Sequence, residues 1–128
     1  AIFKELRGIK IEDFPNAGAV LLRVFLELSV DSYMDAHALP RKSKDSKGQL
    51  RDKNLQKKVE EVIDHLIKKG DCDRKDFKGV IRGLSVPHSP FNIDLLHQYV
   101  HNRFVTPKTR DLIGAWDDAK RFFERIWP

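Results

Sequence analysis

Apolar positions recur with helical period along most of this chain. Between Pro15 and His37, Ala19, Leu22, Leu26 and Val30 form one stripe, widened by Val20, Phe25, Leu28 and Tyr33. Apolar residues thus cover most of the circumference, which predicts a central helix, roughly 34 Å long at 1.5 Å per residue. Pro15 suits its first turn, where a missing N–H loses no bond. A short apolar lead, Ile2 to Leu6, precedes it and ends near Gly8. A second helix is expected from Arg51 to Lys69, with Leu55, Val59, Val62, Leu66 and Ile67 inward and Gly70 as its stop. A third runs from Asp73 to about Gly83, carrying Phe77, Val80 and Ile81. Val86 to Pro90 is an irregular connection. A fourth helix follows from Asn92 to Asn102, and a fifth opens with Thr106 as N-cap and Pro107 in the first turn. The fifth bears Leu112, Ile113, Trp116, Ala119, Phe122, Phe123 and Ile126. Leu39 to Gln49, with Pro40, three lysines, two serines and Gly48, reads as a flexible loop. No strand and no internal repeat is expected. The fold class is therefore all-α, a five-helix up-and-down bundle.

At 128 residues the chain makes one domain, 1–128. It begins with Ala1 rather than Met, so it is expected to be a piece of a larger protein. No apolar stretch approaches the ~18 residues that span a bilayer. The single cysteine, Cys72, forms no internal disulfide and is compatible with a reducing cytosol. It stands between Asp71 and Asp73, which disfavour a thiolate, so it is a poor nucleophile.

Charge adds a candidate surface. The net +5 is uneven: Arg41, Lys42, Lys44, Lys47, Arg51, Lys53, Lys57 and Lys58 face only Asp45 and Asp52, a local net of +6. Such a run suits an acidic partner such as nucleic acid, or is simply a solvated loop and helix face. Arg74, Lys75, Lys78 and Arg82 on the third helix can share a side of the fold with that loop.

Few residues suggest chemistry. His97 and His101 lie four apart on one helix face. Gln98 occupies the position where a zinc hydrolase would carry its glutamate, so no metal and no cofactor is expected. Arg23 and Glu27 are also four apart, inside the most apolar helix. They either pair there, with help from the His101-Asn102-Arg103 turn, or snorkel to the surface. Phosphate loops (GxxxxGK[ST], GxGxxG) and the GxSxG elbow are missing from the sequence.

Several of these residues carry a resemblance. Ala17-Gly18-Ala19 leads into Leu21, Leu22, Arg23, Glu27 and Leu28. Leu55, Lys58 and Val59 follow, then Tyr99 to Asn102, then a Thr-capped final helix. From Pro15 to Trp127 this order resembles the HEPN superfamily of helical domains, in the versions attached to bacterial defence and nucleic-acid-related proteins. The resemblance implies a helical bundle in the cytoplasm that pairs with a second copy or with a neighbouring domain of its own chain. Catalytic members are metal-independent ribonucleases with an Arg, four to six residues, and a His. Asp94, Leu95 and Leu96 stand where His101 would need that arginine, leaving His101 and Arg103 as weak catalytic candidates. Arg82 and His88 satisfy the spacing, though across the Pro87 turn. The resemblance therefore implies a non-catalytic interaction module with a polar cluster of Arg23, Glu27, His97, His101 and Asn102. The alternatives are a nucleic-acid-binding domain using residues 41–58, and a ribonuclease.

Overall fold

The computed structural model describes residues 2–8, 10, 12–70, 72–85, 91 and 106–127. Among these the chain is mostly helical. Helix α1 (Ile2–Gly8) lies against α2 (Pro15–Ala36). A hairpin of β1 (Lys42–Lys44) and β2 (Leu50–Asp52) comes next, then α3 (Leu55–Lys68). A 3-10 turn (Arg74–Phe77) runs directly into α4 (Lys78–Ser85). The last described element is α5 (Thr109–Ile126). The expected helix over Asn92–Asn102 lies outside the described residues. No described helix is long and apolar enough to cross a membrane.

The core forms where the apolar stripes meet. Helix α2 contributes Leu22, Phe25, Leu26, Val30 and Met34, and α3 contributes Val59, Val62 and Ile63. Phe77 and Val80 enter from the 3-10 turn and α4, and Ala119, Phe122 and Phe123 from α5. Phe25 packs on Phe123 with ring centroids 4.7 Å apart, and Phe123 stacks on Trp116 at 5.3 Å. Past the end of α5 the Trp127 Nε1 donates to buried Ser29 Oγ at 2.9 Å, which fastens the helix to α2.

Local chemistry sets the boundaries. Helix α2 ends in a Schellman arrangement: Leu39 N donates to Met34 O at 2.8 Å and Ala38 N to Asp35 O at 3.4 Å. Ala38 takes the left-handed position (φ 55°), and Leu39 packs back on the core. Asn54 caps α3 by accepting from Lys57 N at 2.8 Å. Helix α5 starts at Thr109 with Lys108 at its N-cap, which corrects the expected Thr106 cap and Pro107 first turn; Pro107 lies before the helix and is buried.

The reading of residues 39–49 as a loop without strands is corrected. β1 and β2 pair antiparallel, Lys42 opposite Asp52 and Lys44 opposite Leu50. The turn chemistry accounts for the pairing. Gly48 N donates to Asp45 O at 3.0 Å, and Gly48 sits at φ 77°. This is a short hairpin turn closed by a left-handed glycine. Asp45 Oδ1 also accepts from Lys47 N and Gln49 N, both at 2.9 Å. Those bonds, led by Gln49 and joined by Arg51, hold the Asp45 carboxyl below its ordinary value. The hairpin also takes Arg51 and Asp52 from the expected second helix, which begins at Leu55 instead.

Candidate anion-binding groove

Asp73, before the 3-10 turn, closes a capping box. Its carboxylate accepts from Lys75 N at 3.1 Å, and Asp76 Oδ2 accepts from Asp73 N at 3.0 Å. Phe77 and Val80 then anchor the segment inward with no exposed surface. That anchoring turns Arg74, Lys75, Lys78 and Arg82 outward. Gly79 is half-buried against α5, and a Cβ added there would stand 2.5 Å from the Asp118 carbonyl oxygen. The close approach of α4 to α5 leaves an open groove of about 730 Å³. The four cations line it with Ile81 and Ser85, and among the described residues the carboxylates on its wall are Asp73 and Asp118. Arg74 reaches Asp64 at 3.5 Å with most of its side chain exposed. Among the described residues Lys75, Lys78 and Arg82 enter no ion pair, so their charge is available to a ligand.

The denser basic stretch is placed differently. Arg41 binds Asp35 at 2.8 Å and Asp31 at 3.5 Å, and these partners raise its guanidinium above the usual arginine value. Lys58 also binds Asp31, at 2.9 Å. Lys53 donates to both oxygens of Glu61, at 3.0 and 2.9 Å. Arg51 reaches Asp45 at 3.1 Å. The side chains of Lys53 and Lys58 are only 7% and 11% exposed, so these two are structural groups. Lys42, Lys44, Lys47 and Lys57 remain exposed, on the hairpin and the first turn of α3. Half of the run is thus engaged by carboxylates of α2, α3 and the hairpin itself.

Arg23 and Glu27 do pair. Arg23 Nε donates to Glu27 Oε1 at 3.0 Å, and Arg23 Nη1 donates to the Phe91 carbonyl. Arg23 is buried and Glu27 half exposed, so the guanidinium stays inside rather than snorkelling. The rest of the expected polar cluster, His97, His101 and Asn102, lies outside the described residues, as do Arg103 and His88.

One constellation escaped the sequence reading. Tyr33 OH and His65 Nδ1 are 2.7 Å apart. The His37 ring lies 4.1 Å from that of Tyr33 and 4.9 Å from that of His65, centroid to centroid. Tyr33 and His37 are four apart, a signal visible in the sequence, but His65 comes from another helix. Burial, then Lys69 and His65, push the His37 imidazole below its ordinary 6.5. An imidazole depressed on folding takes up its proton more readily when unfolded, so stability is lost as pH falls. The loss begins near 6.5 and continues below it, while Asp45 acts only below 3.8. The urea midpoint is expected to drop between pH 7.5 and pH 5, and His37→Asn to flatten that slope. Equal slopes in the two proteins would refute the assignment. Among the described residues no group of three or more His, Cys, Asp or Glu side chains is placed to hold a metal.

No family model matches the chain, and no curated protein and no solved structure matches it either.

Proposed function

We propose that this chain is a non-catalytic, HEPN-like interaction module, a five-helix up-and-down bundle that binds a polyanionic partner through the groove on α4. The observation that carries the binding half is the row of cations lining that groove, three of which enter no ion pair among the described residues. Cations held on a rigid wall recognise an anion without first leaving a carboxylate. The run at 41–58 is the weaker candidate, since Arg41, Arg51, Lys53 and Lys58 already serve acidic neighbours. The HEPN half rests on the sequence resemblance, as does pairing with a second copy or a neighbouring domain.

Binding of a labelled heparin oligosaccharide at low salt tests the groove. Lys78→Glu with Arg82→Glu is expected to abolish most binding. Lys42→Glu with Lys44→Glu on the hairpin is expected to weaken it far less. The reverse order would move the site to the hairpin and end this reading.

A ribonuclease is the second reading, favoured by one observation: Arg82 lines the groove and precedes His88 with the family's spacing. Metal-free cleavage of RNA that is lost in His88→Ala would establish it.

A further inference from the structure

We infer that the groove on α4 takes the phosphate backbone of a nucleic-acid duplex, held by charge and shape without reading bases. The inference rests on the groove being a polyanion site and names the polyanion.

Four features support it. The first is linearity. Arg74, Lys78 and Arg82 are spaced four apart, and from Lys78 to Arg82 the helix advances about 6 Å. Lys75 flanks the row. A compact anion is held by donors that converge on one point, whereas a row of cations matches a chain of charges. The second is the donor set. A guanidinium offers a planar fork that grips two phosphate oxygens, and an ammonium acts as a point charge. Two of each line the groove.

The third feature is that among the described residues no aromatic side chain lines the groove, whose apolar surface there comes from Ile81 and Gly79. Proteins that hold single strands stack the exposed bases on aromatic rings. A duplex keeps its bases stacked on one another and presents only its backbone, which this wall can accept. The fourth is the position of the carboxylates. Asp73 stands at the start of the row, and Asp118 on the α5 wall beside Gly79. Each repels phosphate, so the backbone is confined to the strip beside the cations and contacts few phosphates. Three to four phosphates would give a log K against log salt slope of about −2.7 to −3.6.

The test compares labelled DNA duplex, RNA duplex, the corresponding single strands and heparin, by fluorescence anisotropy across a salt series. Both duplexes are expected to bind more tightly than either single strand, with slopes in that range. Lys78→Ala is expected to lower the slope by about one, at unchanged helical content by circular dichroism. An RNA duplex preferred over DNA, or the reverse, would identify the source of the backbone and leave the inference standing. Heparin bound with no nucleic acid bound, or single strands bound as tightly as duplexes, would overturn the inference and leave the groove as a polyanion site. A slope unchanged by Lys78→Ala would place the duplex on another surface and overturn it too. Failure of every polyanion would overturn both.

Discussion

Replacing Phe122 by alanine is expected to cost about 3–5 kcal/mol, the range for a large aromatic removed from a packed interior. Phe122 is 1% exposed. Its ring meets Phe77 edge-on at 84°, with centroids 6.0 Å apart. Phe77 belongs to the 3-10 turn that begins the groove wall, so this contact ties α5 to the segment bearing Arg74 and Lys75. Truncation leaves a cavity bounded by Phe77, which has no exposed surface of its own and no other place to go. Polyanion binding should therefore weaken along with stability. Urea unfolding measures the first effect; a loss under about 1 kcal/mol would mean that the inward face of α5 is misassigned.

Gly79→Ala is the second large effect, and its sign is the informative part. In an ordinary helix interior this change stabilises by up to about 1 kcal/mol. At Gly79 the new Cβ falls 2.5 Å from the Asp118 carbonyl oxygen and 2.8 Å from the Asp118 Cβ. A backbone carbonyl inside α5 cannot rotate aside, so α4 must withdraw from α5. Overpacking of this kind costs roughly 1–3 kcal/mol, and the groove opens as the helices part. Gly114→Ala is the control, since nothing lies within 4 Å of the Cβ it would add. Gly114→Ala should be neutral or stabilising. A stabilised Gly79→Ala protein would show that the two helices are not in that contact.

The described helices were legible because their apolar residues repeat with a period that only a helix can bury on one side. Helix α2 ends at Ala36, one residue before the expected His37. Its stop was not legible, because Ala38 occupies the left-handed position that usually announces itself as glycine. The hairpin was invisible to periodicity. β1 and β2 bury almost nothing: Leu50 is their one apolar residue and is exposed, beside lysine, serine, arginine and aspartate. Its one signal was Asp45 three residues before Gly48, a turn pair rather than a strand pattern. Charge density misdirected the search for a site. Residues 41–58 hold the most cations, but sequence alone could not reveal that Asp31, Asp35 and Glu61 lie within reach of Arg41, Lys53 and Lys58. The groove cations were visible in the sequence, whereas the wall that makes them a groove depends on Gly79 meeting Asp118, 39 residues away. Tyr33 and His65 likewise meet only because α2 and α3 pack together.

The groove as the binding surface is tested most directly by following backbone amide signals of the labelled protein during titration with a short DNA or RNA duplex. The largest shifts are expected from Arg74 to Ser85 and at Asp118, with Lys42, Lys44 and Lys47 little moved. Shifts centred on the hairpin and the start of α3, with Lys75, Lys78 and Arg82 unchanged at saturation, would contradict the account.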